Sequence, residues 1–448
     1  MNDRTTRIAF FLCGFAAFLN LYSTQGILHE LAATFGVSAE RAGQGVSATT
    51  TAVAIIAPFV GVLAARIERR VAISLAAAAV ALPVVWSAHA GSFASFLGAR
   101  FAAGLVMPFV FALSIAYIAE RFDRGTSAEI SALFVAGTTL GGFAGRFATN
   151  LMTSMWGWRH ALDVVAALCL VTGVAIYASL PASRASARRV GREPDSGAGP
   201  SWRIVTRGPL LASFAIGACV LASQVATFTF VGLRLARAPF GFGTVGIGAI
   251  YAVFLVAVVV TPLAGRLARH RGPRAPGLAA AALAIGGALL TLSDTVPVIL
   301  AGLALSSTAV FVEQASANTF ISQAASSARS TAIGLYLSCY YFGGSLGSIL
   351  PVPGWHRWGW AGCVAFVVAA QAVVGVLVYR FWHADGAAGS AHADARSVTP
   401  TPGPVHADNG LALAPGRAER KDRGEANTRR IREEHDAAIG PSGSQPHA

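Results

Sequence analysis

"GVLAARIERR" (residues 61–70) sets Arg66, Glu68, Arg69 and Arg70 within five positions, between two long apolar runs. About two hundred residues later "GRLARHRGPR" (265–274) repeats the outline, from Gly265 to Arg274. Short basic knots between oily segments are expected in the gaps of a multi-span membrane protein. Composition points the same way. The 448 residues are 54% hydrophobic and only 12% charged, with a mean hydropathy of +0.58, whereas a soluble domain carries about 25% charged residues. The net charge of +13 is almost all arginine, Lys421 being the one lysine. In a soluble chain such a charge suggests nucleic acid. Here it sits in the gaps rather than on one amphipathic face, so it reports topology and no nucleic-acid partner is expected.

A bilayer-spanning helix needs about 20 mostly apolar residues. That ruler gives twelve spans, near 8–28, 45–64, 71–89, 94–117, 130–150, 161–181, 210–233, 244–264, 276–293, 297–320, 331–350 and 361–382. The first is too long for a signal-peptide core and lacks a small-residue cleavage site, so it reads as a retained span. With the N-terminus inside, the cytoplasmic gaps before the tail hold 18 arginines and the outer gaps hold five, Arg41, Arg159, Arg234, Arg237 and Arg357. The positive-inside rule then places both termini in the cytoplasm. Cys13, Cys169, Cys219, Cys339 and Cys363 are isolated in apolar text and form neither a disulfide framework nor a metal pair.

The chain also contains a copy of itself. Gly61 falls on Gly265 and Arg70 on Arg274 at an offset of 204, while "LGGFAG" (140–145) falls on "FGGSLG" (342–347) and "WGW" (156–158) on "WGW" (358–360) at 202. The expected fold is therefore an all-α membrane protein of twelve transmembrane helices in two six-helix pseudo-symmetric halves. Residues 1–181 form the first half, the polar stretch 182–209 a cytoplasmic linker, 210–382 the second half and 383–448 a cytoplasmic tail of disordered composition. Tandem repeats of this kind hold substrate near the bilayer midplane between them.

These features resemble the Major Facilitator Superfamily. Its loop motif, G-x-x-x-D-R-x-G-R-R, is matched by Gly61, Arg66, Arg69 and Arg70, with Ala65 in the place of the acid and Glu68 in that of the second glycine. The second copy keeps Gly265, Gly272 and Arg274, with Arg269 in the acid's place. "RFAAG" (100–104) resembles the family's R-x-x-x-G pattern, and Gly137, Gly141, Gly142 and Gly145 resemble the glycine-rich motif of its antiporter branch. "GLYLSCYYFGGSLGS" (334–348), with Gly343, Gly344 and Gly347, is similar to span 11 of bacterial sugar and drug efflux proteins. The resemblance implies an inner-membrane transporter that works as a monomer, with the basic loop latching the halves while the inner gate is closed.

An ionisable group inside the bilayer is costly and normally faces a cavity or a partner. Two such groups are proton-coupling candidates. Arg100 either modulates the proton or an anion, or pins its helix to neighbouring carbonyls. Glu313 is the one carboxylate well inside a span; it serves as a coupling site or as a gate salt bridge with an arginine. A carboxyl kept from water titrates nearer neutrality, as a reversible proton site requires. Arg146 has no counterpart in the repeat, where Ser348 stands; it is a substrate or gate contact, or snorkels to the outer face. At the repeat offset Asn20 pairs with Gln224, Ser23 with Thr227 and Gln25 with Thr229. With Tyr22, Gln314, Asn318, Tyr340 and Tyr341 these outline a moderately polar, aromatic substrate cavity.

No Walker A loop, G-x-S-x-G, H-E-x-x-H or paired cysteine cluster occurs, so the sequence predicts no enzyme, metal or cofactor. The reading is a secondary transporter of a small organic molecule by alternating access, with proton-coupled efflux ahead of uptake by symport. A transporter-fold sensor using the tail as output is the alternative of a different class.

Overall fold

The computed structural model describes residues 3–64, 67–122, 124–181, 206–257, 259–260, 263, 272–325 and 329–382. The described residues form helices and turns, with no strand among them. The helical spans are α1 (Asp3–Leu19), α2 (Ala39–Leu63), α3 (Arg69–Ala88), α4 (Phe93–Arg121), α5 (Arg124–Trp156), α6 (Trp158–Ser179), α7 (Gly208–Ala236), α8 (Thr244–Ala257), α9 (Arg274–Leu290), α10 (Val296–Ala324), α11 (Arg329–Gly347) and α12 (Trp360–Phe381). Nine of these described helical runs are long and apolar enough to cross a membrane, and α1, α8 and α9 are the shorter apolar ones. The nine lie on nine of the twelve expected spans, and α1, α8 and α9 overlap the other three. Residues 182–205 of the expected 182–209 linker, the tail from 383, Ala65, Arg66, Gly265 and Arg269 lie outside the described residues, and α7 already begins at Gly208.

Boundaries follow local chemistry. Ser92 caps α4, its hydroxyl accepting from Ser95 N at 3.2 Å. Prolines open α7 and α10, where a missing N–H costs nothing. Gly157 and Gly359, the centres of the two "WGW" copies, turn the chain at φ +82° and +58°, a region that disfavours side chains. Outward-facing Val62, Leu82, Val171 and Val174 stay exposed, an arrangement suited to lipid and not to water.

The repeat recurs as contacts. Arg70 at the start of α3 donates through Nε to the Tyr177 carbonyl at 2.8 Å and lies 4.2 Å from the Tyr177 ring. Arg274 at the start of α9 donates to the Tyr379 carbonyl at 3.1 Å and lies 4.9 Å from that ring. Glycines let backbones touch in the same way in both copies. A Cβ on Gly141 or Gly145 of α5 would stand 2.3 and 1.9 Å from the carbonyls of Phe15 and Leu19 on α1. On Gly343 or Gly347 of α11 it would stand 2.0 and 2.3 Å from those of Ala218 and Ala222 on α7. Small residues at such crossings provide van der Waals packing where lipid supplies no hydrophobic drive.

Alternation of the spans defines two faces. Asp3, the ends of α4, α6 and α10 and Trp382 gather on a terminal face; the turns around residues 20–38, 89–92, 157, 237–243 and 291–295 gather on a distal face. Between the first six spans and the last six, α2 packs on α11 and α5 on α8, pairs that the repeat makes equivalent.

Candidate cavity and gate

The first expected span is corrected here. The expected range is 8–28, but α1 ends at Leu19, and Asn20–Gly26 form turns before a short helix, Leu28–Phe35. Carbonyls at and beyond a helix end need donors, and Arg100, fully buried on α4, reaches two of them in the turn after Leu19. Its Nη1 donates to Asn20 Oδ1 at 2.9 Å, and Nη2 donates to the carbonyls of Asn20 at 3.1 Å and Leu21 at 2.9 Å. These bonds pin Arg100 to the carbonyls beside the α1 end. The break it holds swings Tyr22 and Gln25 between the two halves.

Arg146, on α5, occupies that junction. Its side chain is buried, with Nε donating to Gln25 Oε1 at 2.9 Å and Nη1 to the Gly142 carbonyl at 2.8 Å. The rings of Tyr22, Phe254 and Tyr251 surround the guanidinium at 4.3, 4.9 and 5.1 Å. The expectation of snorkelling to the outer face is thus corrected: cation–π contacts and two hydrogen bonds hold the charge inside. Gln25 in turn donates to Thr229 Oγ1 on α7 at 3.0 Å, so Arg146, Gln25 and Thr229 form a chain from one half to the other.

More cross-half contacts close the distal face beyond it. Thr244 donates to Glu30 Oε1, and Trp355 Nε1 donates to the buried carboxylate of Glu40 at 2.7 Å, with Arg237 Nη2 3.6 Å from the same oxygen. Ser47 donates to the Ser345 carbonyl at 3.0 Å and hydrogen-bonds the Ser348 hydroxyl, while Thr50 meets Ser345 Oγ at 2.8 Å. Asn150 is wedged between Gly26 and Gly248, where a Cβ would fall 1.9 and 2.7 Å from its side-chain atoms.

Below this closure lies a cavity of about 430 Å³. Tyr22, Arg146, Gln224, Tyr340 and Tyr341 form its buried floor, and Gln314 and exposed Asn318 lead toward the terminal face with Ile115 and Val135. The structure therefore brings seven of the ten sequence-predicted cavity residues together. Asn20, Gln25 and Thr227 are corrected: they are buried but do not line it. Asn20 is taken by Arg100 and Gln25 by Arg146 and Thr229. Sequence reasoning missed the apolar wall, chiefly Phe18, Phe111, Phe254 and Phe311. A phenylalanine in a helix of alanine and valine carries no mark that separates a cavity face from a lipid face.

Glu313 sits one residue before Gln314 on α10 and is buried, but it faces into the second half rather than into the cavity. Gln371 of α12 is its polar neighbour, and Tyr336 of α11 also stands near it. The alternative of a gate salt bridge is corrected: among the described residues no arginine pairs with Glu313, and both carboxylate oxygens lack a hydrogen bond. The Tyr336 hydroxyl, Ser316 Oγ and both amide atoms of Gln371 are likewise unpartnered.

The described loop arginines do not bridge the halves. Arg69 pairs with Glu120 at 3.1 Å, and Arg70 and Arg274 hold their own halves as described above. The latch expected of this loop is not engaged among the described residues, in accord with a cavity that extends toward the terminal face. Gly61 has open space around its Cβ position, and Gly272 turns the chain at φ +83°. Gly137 packs on the Phe11 carbonyl like its α5 neighbours, whereas Gly142 and Gly344 meet side chains, those of Arg146 and Leu221. The five cysteines are free, and no metal-binding group of His, Cys, Asp or Glu occurs among the described residues.

Known proteins agree with this architecture. The inner membrane transport protein YnfM of Escherichia coli is 29% identical over 384 residues, covering 84% of this chain and 91% of that one. A chloramphenicol resistance protein of Streptomyces lividans is 28% identical over 287 residues, 61% of this chain and 69% of its own. A bacterial homolog of the human lysosomal transporter Spinster, crystallised in an inward-facing and occupied conformation, superposes with a TM-score of 0.63 at 15% identity, over 89% of this chain and 98% of that one. The family model described as Major Facilitator Superfamily matches residues 10–348, and the chain belongs to that family of membrane transporters, not enzymes.

Proposed function

We propose that this transporter exports a small organic molecule across the inner membrane in exchange for protons. The observation that carries the reading is the asymmetric cavity: its floor lies at the Arg146–Gln25–Thr229 chain, its distal end is sealed by cross-half hydrogen bonds, and its lining continues toward the terminal face. The arginine distribution makes the terminal face cytoplasmic, so the conformation is inward-facing and ready to load cargo from inside. A relative named for chloramphenicol resistance supports the outward direction.

Glu313 is the proposed proton site. A carboxyl in a membrane interior without a cation is far cheaper protonated than charged, and the neighbouring Gln371 amide has both a donor and an acceptor to offer the two forms. Tyr336 and Tyr340, 5.9 Å apart between ring centres, lead from its surroundings to the cavity. Alternating access exposes this region to the two sides in turn.

The test is proton flux in proteoliposomes under an imposed pH gradient, with a panel of amphipathic drugs, sugars and organic acids. Substrate-dependent flux in the wild type and its loss in Glu313→Gln is the expected result. Coupled flux that survives the substitution removes Glu313 from the mechanism, and proton entry together with cargo reverses the direction.

A further inference from the structure

Among the described residues the cavity floor holds one positive group, Arg146, and no negative one. Arg146 spends Nε on Gln25 and Nη1 on the Gly142 carbonyl. Its Nη2 carries no hydrogen bond among the described residues, although the side chain is 5% exposed and part of the cavity wall. Among the described residues no aspartate, glutamate or histidine lines the cavity. The aromatic faces around the guanidinium soften its desolvation, but ring quadrupoles are not a counter-charge. Nearby, the hydroxyls of Tyr340 and Tyr341, which can donate to an anion, make no hydrogen bond among the described residues. An arginine with a free donor is the standard receptor for a carboxylate or sulfonate, and the remaining wall is apolar and aromatic.

The geometry points to an organic anion as the cargo: an aromatic or apolar body with one carboxylate or sulfonate, its charge on Nη2 of Arg146 and its body against Phe111, Phe254 and Phe311. This assignment rests on the transport reading above and names its substrate class. A cationic drug would meet an uncompensated charge at the floor, and a neutral one would leave that charge unpaired, so both are selected against. The site also gives cargo a hold on the gate. Gln25 links Arg146 to Thr229 of the other half, and an anion that draws the guanidinium toward the cavity loosens that link at the distal closure.

The experiment is calorimetric binding of 2-naphthoate, 2-naphthamide and 2-naphthyltrimethylammonium to the purified full-length chain in detergent, three ligands with one aromatic body and different charge. Naphthoate is expected to bind at least about tenfold more tightly than the amide, a difference of about 1.4 kcal/mol. Arg146→Gln should erase that preference and Arg146→Lys keep part of it. Equal or tighter binding of the amide or ammonium ligand overturns the assignment, as does a naphthoate preference that persists in Arg146→Gln. Lack of any binding by naphthoate and 2-naphthalenesulfonate up to millimolar concentration overturns it too. Should Arg146→Gln fail to fold, wild-type selectivity and Arg146→Lys still decide. Proton flux driven by the ammonium ligand would leave the transport reading standing and remove only the anion; naphthoate binding without flux of any ligand would do the reverse.

Discussion

Replacing Gly343 with valine is expected to abolish accumulation of folded transporter in the membrane. A Cβ there would lie 2.0 Å from the Ala218 carbonyl oxygen and 2.4 Å from the Ala218 Cα, and both are backbone atoms that no rotamer change can move. Helices α7 and α11 would have to separate along their whole crossing, undoing the paired contact at Gly347 and Ala222. Overpacking a tight interior costs about 1–3 kcal/mol even where neighbours can yield, and here they cannot. Gly145→Val, the equivalent change at α1 and α5, should do the same. Gly286→Ala supplies the control, since no atom lies within 4 Å of its Cβ position. The measurement is the yield of monodisperse protein on size exclusion after detergent extraction. A normal yield of Gly343→Val would show that the crossing is looser than this geometry requires.

Loss of Arg100 should rank next. Arg100→Ala removes three hydrogen bonds from a charged donor and leaves the Leu21 carbonyl without its donor, while the Asn20 carbonyl keeps only Ser23 N and Oγ. Each unmet group costs about 1–3 kcal/mol, a large fraction of a typical folding stability of about 5–15 kcal/mol. The break after Leu19 would shift, and with it Tyr22 and Gln25 at the cavity floor. A drop of well over 5 °C in apparent melting temperature is expected, together with loss of substrate-dependent flux. Arg100→Lys, with one ammonium for three acceptors, should recover stability only in part. If Arg100→Ala keeps wild-type stability but loses proton coupling alone, the residue acts on the proton rather than on the α1 break.

Much of this architecture is readable from residues alone because the bilayer imposes a length. An apolar run of about 20 residues is nearly forced to be a helix there, and glycines and arginines that recur at offsets of 202–204 disclose the tandem. What sequence could not place was side-chain direction. Glu313 and Gln314 are adjacent, yet successive residues on a helix point about 100° apart, and α10 has no single polar face. Polar residues such as Ser307, Gln314, Ser316 and Asn318 are spread around α10, and the neighbours Gln371 and Tyr336 come from two other spans, so nothing local shows that the acid faces them and not the cavity. The end of α1 was missed for a similar reason. "NLYSTQG" is polar enough to break a span and short enough to be carried inside one; what decides is Arg100, some eighty residues onward. Tyr177 and Tyr379 show the converse case. Each is unremarkable in its helix, and only the partner arginine reveals them as one contact made twice.

The most direct test of alternating access through this cavity is the sidedness of a cysteine at its floor. With the five native cysteines replaced by serine, Gln224→Cys is exposed to a membrane-impermeant maleimide applied to right-side-out and to inside-out vesicles. The conformation described here predicts labelling from the cytoplasmic side with little from outside. Adding Glu40→Ala, which removes the acceptor of Trp355 and the partner of Arg237 at the distal closure, should raise outside labelling several-fold and lower inside labelling. Labelling from outside in the resting protein, or sidedness that Glu40→Ala leaves unchanged, would contradict the account.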